Sequence, residues 1–252
     1  MTRPGGPVAR RALVTGGSRG LGMEIGLGLA RAGYSVALNG RTGSVLERTR
    51  SEMLQEALDV ISISGDASVD AQRIVSEAAG RLGGLDVVIH AAGVRDRRIT
   101  SDLDTQAFSD LLGVNLTSGY AIARQALPLL RQSSAGRLIF VTSIAASIAR
   151  PGDPAYAAAK GGLAALARSL AVEFAAQNLT VNAIAPGLFL TEANRSLADD
   201  PAIATFLNAR VPVRRWGRPE EIVPAALFLA SPDASYVNGT TITVDGGLSA
   251  KM

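Results

Sequence analysis

The sequence contains no cysteine and a single histidine, His90. Disulfides, thiolate nucleophiles and sulfur-ligated metal sites are therefore excluded, and so is a metal site made of three histidines. A Ser-His-Asp triad would need His90, but this residue ends a predicted buried strand, which favours a packed, hydrogen-bonded, neutral histidine. We therefore predict no metal site.

Long apolar runs are also missing. No stretch reaches the length of a membrane span without Gly, Pro or charge, and residues 1–11 lack the apolar core of a signal peptide. We expect a soluble, cytoplasmic protein with no membrane partner and with a flexible N-terminus over residues 1–10.

Lysine is scarce as well, with Lys160 and Lys251 the two examples. The pI is about 9.7, yet the formal net charge is only +3. The arginines are scattered, apart from short clusters at residues 95–98 and 214–215. We interpret these clusters as solvated faces and predict no nucleic-acid partner; a nucleic-acid binder is a hypothesis that the pI alone supports.

Strand-like apolar runs alternate with helical patterns along the chain, and no change in composition marks a linker. The predicted strands span residues 12–15, 35–38, 60–63, 86–89, 137–141, 180–184 and 241–244. The predicted helices span residues 20–32, 44–57, 68–82, 104–131, 154–176 and 219–230. This alternation is typical of an α/β protein, with helices on both faces of a parallel sheet. We predict a single domain over residues 1–252, with a doubly wound sheet of about seven strands.

A glycine-rich loop follows the first strand. Ligands of doubly wound sheets bind at the carboxyl ends of the strands, and glycines there let the backbone approach a phosphate at a helix N-terminus. The predicted phosphate-binding residues are Gly16, Ser18, Arg19, Gly20, Leu21 and Gly22.

The segment after the second strand carries Arg41 where an NAD-binding fold usually has an acid for the ribose hydroxyls. Arg41 and Arg19 are suited to a 2′-phosphate, so we predict a preference for NADP(H) over NAD(H). Asp66, after the third strand, is a candidate acceptor for the adenine amino group, and the nearby Ser68 is compatible with a helix N-cap. The other predicted cofactor contacts follow strands four and six: Ala92, Gly93, Pro186, Gly187 and Thr191.

Tyr156 and Lys160 are four residues apart on a helix that Pro154 begins, so they share one face. Free tyrosine has a pKa of about 10, too high for a base near neutrality. An ammonium roughly 4–5 Å away favours the phenolate by about 3–4 kcal/mol at an effective dielectric of about 20, which is roughly 2–3 pKa units. The pair is therefore a candidate proton donor and acceptor. Ser143, after strand five, points toward the same helix, and Asn115 interrupts an apolar helical run.

Together these motifs resemble the short-chain dehydrogenase/reductase family over nearly the whole chain, from about Arg11 to Gly247. The segments that carry the resemblance are Thr15–Gly22, Asn115, Ser143, Tyr156–Lys160, Pro186–Thr191 and Val244–Gly247. The resemblance implies a Rossmann-type fold and usually a homotetramer. Where the family usually has Asn-Asn-Ala-Gly, this chain has His90-Ala91-Ala92-Gly93, which leaves open how strand four is tied to its neighbours.

The resemblance also implies a catalytic set of Asn115, Ser143, Tyr156 and Lys160. Tyr156 would be the general acid/base, and Lys160 would lower its pKa and bind the nicotinamide ribose. Ser143 would hold the substrate oxygen, and Asn115 would hold a water of the proton relay. Both Tyr156 and Lys160 therefore also count as cofactor contacts.

The expected function is an NADP(H)-dependent oxidoreductase that interconverts a ketone and a secondary alcohol. Two subgroups are similar: 3-oxoacyl-carrier-protein reductases, with an acyl carrier protein as a possible partner, and sugar-acid or polyol dehydrogenases. The basic docking positions of the former align with Ser134 and Gln177, which weakens that option, whereas Leu38–Arg41 resembles gluconate-type reductases. Residues 187–214, an amphipathic insertion, are predicted to form a mobile lid over the substrate. A catalytically silent NADPH-binding regulator is the alternative from another class, and the intact catalytic set argues against it.

Overall fold

The computed structural model describes residues 9–175 and 177–251. Most of the predicted flexible N-terminus, residues 1–8, lies outside the described residues, and so does residue 176, the predicted end of the helix that carries Tyr156. That helix ends at Phe174 in the structure.

Seven strands form one sheet in the order β3-β2-β1-β4-β5-β6-β7, and every neighbouring pair is parallel. The strands are β1 Arg11–Thr15, β2 Ser35–Gly40, β3 Val60–Ser64, β4 Val87–His90, β5 Gly136–Val141, β6 Leu179–Pro186 and β7 Thr241–Val244. The strand order reverses between β1 and β4, so a crevice opens at their carboxyl ends. The predicted doubly wound α/β fold is confirmed.

Helices cover both faces of the sheet. They are α1 Gly20–Arg31, α2 Gly43–Gln55, α3 Ala71–Leu82, α4 Thr105–Leu112, α5 Ser118–Leu130, α6 Pro154–Phe174, α7 Pro201–Arg210 and α8 Val223–Ala230. Short 3₁₀ segments lie at Ile144–Ala146, Glu192–Leu197, Pro219–Ile222, Pro232–Ala234 and Leu248–Ala250. None of the described helices is long and apolar enough to cross a membrane.

The two apolar cores follow the alternation of side chains along each strand. Leu13 faces a cluster that packs against α3, α5 and α6, whereas its neighbours Ala12 and Val14 face a second cluster with α1, α2 and α8. Because both faces are covered, the strands read as continuous apolar runs, and this is why the sequence pattern predicted them well.

Two helices differ from their predicted bounds. The stretch expected as one helix over residues 104–131 is interrupted by a π-helical turn at Gly113–Thr117 between α4 and α5. The helix expected from residue 68 begins at Ala71, with Asp70 at its N-cap, so the N-cap role considered for Ser68 is wrong. Ser68 instead donates its backbone N–H and its hydroxyl to Asp66, at 2.9 and 2.6 Å, which makes a tight turn before the helix.

Candidate active site

The glycine loop after β1 is packed directly on the segment after β4. Gly16 has a φ of +68°, and a Cβ atom there would lie 2.7 Å from the backbone nitrogen of Ala92. A Cβ on Gly22 would collide with the carbonyl oxygen of Gly16. The backbone at these two positions therefore accepts glycine alone, and the loop stays thin enough for a ligand to approach it.

A cavity of about 660 Å³ runs along the carboxyl ends of the strands. Its wall contains every residue predicted to bind the cofactor, together with Ser143, Tyr156 and Lys160. Residues Leu197, Ile203 and Phe206 of the predicted lid line the same cavity. Asn115 is the one predicted site residue that is not part of the wall.

The cavity fits a dinucleotide at its glycine end. Helix α1 begins at Gly20, and its N-cap residue Arg19 makes no side-chain capping bond within the described chain. The first N–H groups of α1 are therefore available to an anion. Arg19 and Arg41 both line this end, and an NADP(H) molecule would be held by the glycine loop with these two arginines near its phosphates.

Asp66 stands beside Arg41 at this end of the cavity. Its Oδ1 atom accepts both bonds from Ser68, and its Oδ2 atom lies 3.8 Å from an Nη of Arg41. Burial works to raise the pKa of this carboxyl, but the bonds from Ser68 and the charge of Arg41 prevail, so the pKa is lowered. Asp66 is thus an ionised acceptor on the wall.

Tyr156 lies in the first turn of α6, where Pro154 is the first helical residue. Burial raises the pKa of the Tyr156 phenol above its usual value of about 10. The Ser143 hydroxyl and the positive charge of Arg95 act in the opposite direction, whereas the negative charge of Asp153 adds to the rise. The Lys160 ammonium, expected to lower this pKa, lies 5.8 Å from the centre of the Tyr156 ring, and its effect on the phenol stays a prediction.

Lys160 is held at the end of strand β5. Its Nζ atom is 5.8 Å from the centre of the Tyr156 ring and donates a 2.9 Å hydrogen bond to the carbonyl oxygen of Val141, at the end of β5. The side chain is buried, and burial lowers the pKa of Lys160 to about 8. The ammonium is therefore held against the sheet, and loss of water makes it easier to deprotonate.

Asn115 sits in the π-turn and is fully buried. Its Nδ2 atom donates to the carbonyl of Leu111 at 3.0 Å, and its Oδ1 atom accepts from the backbone N–H of Val94 at 3.1 Å. The amide thus ties the helix to the segment after β4. The Asn115 side chain, which was expected to hold a water of the proton relay, forms hydrogen bonds to backbone groups in the structure.

Ser143 directly follows β5 and caps the 3₁₀ segment Ile144–Ala146. Its hydroxyl oxygen accepts from the N–H of Ala145 at 3.1 Å, which leaves the hydroxyl proton free to donate elsewhere. Since Ser143 and Tyr156 share one cavity, two hydroxyl groups converge on it from neighbouring elements.

His90 is a structural residue, as predicted. The ring is fully buried, its Nδ1 atom lies 2.9 Å from the hydroxyl of Thr15, and its Nε2 atom lies 3.2 Å from the hydroxyl of Ser118. Burial, with a smaller effect of the Lys160 charge, lowers the pKa of His90 to about 3. The neutral imidazole thus links β4 to β1 and to α5. These two contacts explain how β4 is held to its neighbours without the usual Asn-Asn-Ala-Gly.

Sequence reasoning missed an ion-pair bridge beside Tyr156. Arg95 binds the carboxylate of Asp153 through Nε at 3.0 Å and an Nη at 2.5 Å, and Arg150 binds it through Nε at 2.6 Å. The Cζ atom of Arg95 lies 5.0 Å from the centre of the Tyr156 ring. Arg95 and Arg97 both line the cavity and both are exposed to solvent, so part of the solvated cluster at residues 95–98 also belongs to the site. The sequence feature that could have indicated this bridge is the pair Arg95 and Arg97, which comes soon after strand β4.

Comparison with known proteins gives consistent matches along the chain. A family model described as enoyl-(acyl carrier protein) reductase matches residues 16–249. Gluconate 5-dehydrogenase of Gluconobacter oxydans (strain 621H) is 34% identical over 249 residues, which is 96% of this chain and 95% of that protein. The 3-oxoacyl-[acyl-carrier-protein] reductase of Staphylococcus epidermidis (strain ATCC 35984) is 31% identical over 245 residues, 95% of this chain and 98% of that protein.

A solved structure agrees in fold. The crystal structure of a gluconate 5-dehydrogenase from Burkholderia cenocepacia J2315, in complex with NADP and tartrate, has a TM-score of 0.91 against this chain. The two share 32% sequence identity, and the match covers 96% of each.

Proposed function

Because the chain belongs to the short-chain dehydrogenase/reductase family and is an oxidoreductase of CH–OH and C=O groups, we propose that it works with NADP(H) on a ketone and its secondary alcohol. The observation that carries this proposal is the shared cavity. The lining of this one cavity includes both the glycine loop after β1 and the side chains of Tyr156, Ser143 and Lys160. A nucleotide and a carbonyl compound can therefore meet next to a phenol.

In the proposed reaction a bound NADP(H) supplies or accepts the hydride at the carbonyl carbon. The Tyr156 hydroxyl gives its proton to the carbonyl oxygen during reduction and takes it back during oxidation. The Ser143 hydroxyl donates to the same oxygen and stabilises its developing negative charge. Lys160, whose Nζ atom donates to Val141, would also hold the ribose of the bound cofactor and keep a positive charge behind the phenol.

The preference for NADP(H) rests on the arginines at the glycine end of the cavity. Arg41 occupies the position after β2, and no acid stands at that point of the chain. A guanidinium there suits a 2′-phosphate through paired hydrogen bonds. The NADP bound to the gluconate 5-dehydrogenase of B. cenocepacia supports the same preference.

Two substrate classes are candidates. The relatives include a gluconate 5-dehydrogenase and a 3-oxoacyl-[acyl-carrier-protein] reductase, so both a sugar acid and a 3-oxoacyl thioester fit the family. Ser134 and Gln177 stand at the positions where a carrier-protein reductase would need basic residues, which favours the sugar acid.

The test is a spectrophotometric screen of NADPH and NADH oxidation with keto-sugar acids, 3-oxoacyl thioesters and simple ketones. We expect NADPH oxidation with at least one panel member, abolished in Tyr156→Phe. Tight NADPH binding without turnover on any panel member would favour the silent regulator instead.

A homotetramer and a cytoplasmic location remain predictions from the family. Val172 of α6 and Phe228 of α8 are 82% and 48% exposed, which is compatible with burial between subunits. Light scattering of the purified protein measures the assembly directly.

A further inference from the structure

Three arginines stand together on the wall of the cavity close to Tyr156: Arg95, Arg97 and Arg150. Two of them share one partner, because Arg95 and Arg150 both form ion pairs with Asp153. The Asp153 side chain is only 2% exposed, so this carboxylate is held firmly between the two guanidinium groups. The bridge is thus a fixed part of the wall.

Arg97 is the third arginine, and it takes no part in this ion-pair bridge. Within the described chain its guanidinium lies within ion-pair distance of no carboxylate, and the residue lines the cavity while it is exposed to solvent. Burial and the like charges of Arg95 and Arg150 lower the pKa of Arg97. The three arginines and Asp153 together carry a net charge of +2, and Lys160 on the same cavity wall adds to it.

No other group of the cavity wall offsets that charge. Asp66, the acid on the wall, pairs with Arg41 at the glycine end. The lid residues that line the cavity, among them Asn194, Ile203 and Phe206, carry no charge. An anion bound beside Arg97 would therefore relieve repulsion among the three arginines, and a neutral ligand would not.

The arginine segment lies near the phenol, and this limits the size of the substrate that could carry the anionic group. Arg95 lies 5.0 Å from the centre of the Tyr156 ring, and Arg95 and Arg97 are two residues apart on one segment. A small keto acid can place its keto carbon at Tyr156 and its carboxylate at this arginine segment, because both line one cavity. The phosphates of a carrier-bound thioester are much farther from its keto group, whereas the carboxylate of a six-carbon sugar acid is at a suitable separation.

We propose that the substrate is a small keto acid or hydroxy acid, and that Arg97 binds its carboxylate on a wall that the Arg95–Asp153–Arg150 bridge holds in place. This inference rests on the proposed function and names its substrate class. Arg97 is then a specificity-determining residue, and Tyr156 acts on any carbonyl that reaches it.

The test compares two substrates with the same carbon skeleton. 5-Keto-D-gluconate carries the carboxylate, and L-sorbose has a hydroxymethyl group in its place. We expect the wild-type protein to prefer the acid by about 10-fold to 100-fold in kcat/KM, the range of one charge-assisted pair. Arg97→Gln should remove most of that preference by raising KM for the acid, with kcat/KM for L-sorbose changed less than about threefold.

Arg98→Gln is the matched control. Arg98 lies next to Arg97 on the same segment, pairs with Asp96 and is not part of the cavity wall. It also removes one positive charge, so a general electrostatic effect would appear in both variants. We expect Arg98→Gln to keep the preference for the acid.

The outcomes separate this inference from the proposed function. Equal use of the acid and L-sorbose by the wild-type protein, or preference for acetoacetyl-CoA over both, overturns the carboxylate wall while NADPH turnover upholds the reductase. An unchanged preference in Arg97→Gln also overturns it. Absence of turnover with every compound, despite NADPH binding, overturns both.

Discussion

The guanidinium of Arg95 lies closer to the Tyr156 ring than the ammonium of Lys160 does, at 5.0 Å against 5.8 Å from the ring centre. Arg95 stays charged at every working pH, whereas burial lowers the pKa of Lys160 to about 8. The phenol therefore has two cationic neighbours, and the charge of Arg95 works against the rise in the Tyr156 pKa that burial causes.

Replacing Arg95 should consequently change the pH dependence of turnover. In Arg95→Met the phenolate loses a favourable charge, so we expect the apparent pKa of the basic group in alcohol oxidation to rise. Turnover near neutral pH should fall about tenfold or more. The measurement is the profile of kcat against pH. A role in folding alone would lower kcat at all pH values without moving the profile, and that result would contradict the tuning role.

Tyr156→Phe should cost several orders of magnitude in kcat, because phenylalanine has no proton to give. NADPH affinity should change little, as the ring itself remains. The measurements are single-turnover rates and NADPH titration by fluorescence. Tyr236→Phe, at a fully exposed tyrosine, is the control. A Tyr156→Phe protein with more than about a tenth of the wild-type kcat, a loss below about 1.4 kcal/mol, would exclude Tyr156 as the acid.

Arg41→Gln should reduce the preference for NADPH over NADH. The loss of a charged contact to the 2′-phosphate is expected to raise KM for NADPH by about 10-fold to 100-fold and to leave KM for NADH nearly unchanged. Arg48→Gln serves as the control, since Arg48 is an exposed arginine on α2 that does not line the cavity. Equal effects of Arg41→Gln on both cofactors would contradict the assignment.

His90 should make folding stability fall as the pH drops below about 6.5. The unfolded state binds a proton at this residue near its ordinary pKa of 6.5, whereas the folded state resists protonation down to about 3. Stability is therefore full above about pH 6.5 and is lost as the pH falls, by about 2 kcal/mol between pH 6.5 and pH 5. Urea unfolding at pH 7 and pH 5 measures this difference.

His90→Asn provides the comparison, because asparagine does not titrate. The variant should be less stable at pH 7 but should lack this part of the pH dependence, while the contributions of carboxylates cancel between the two proteins. Parallel curves of stability against pH for both proteins would mean that His90 titrates normally in the folded state.

The sheet was predictable because each strand is buried on both faces. Runs such as Leu13 and Val14 in β1 are apolar without interruption, and the helices between strands have clear periodicity. Helix ends were less predictable, as the turn at Ser68 shows. There a side-chain acceptor, Asp66, competes with the helix for the backbone N–H group.

The cofactor end of the cavity was predictable from local sequence, because a loop that follows a strand has its position set by that strand. The substrate end was not. Arg95 follows β4 and Asp153 precedes α6, 58 positions later, so their ion pair depends on tertiary packing. The surroundings of Tyr156 also depend on tertiary packing. Helical spacing predicts that Lys160 lies on the same helix face as Tyr156, but it does not predict the hydrogen bond from the Lys160 ammonium to the Val141 carbonyl.

The π-turn at Gly113–Thr117 holds one more residue than a regular helical turn would. A deletion of a single residue between Leu111 and Ser118 would restore the regular spiral and swing Asn115 by about 100° around the helix axis. The amide would then leave the N–H of Val94, and the chain entering the arginine segment would lose its anchor. Length at this point is therefore under tighter constraint than composition, and insertions or deletions here should be far less tolerated than substitutions.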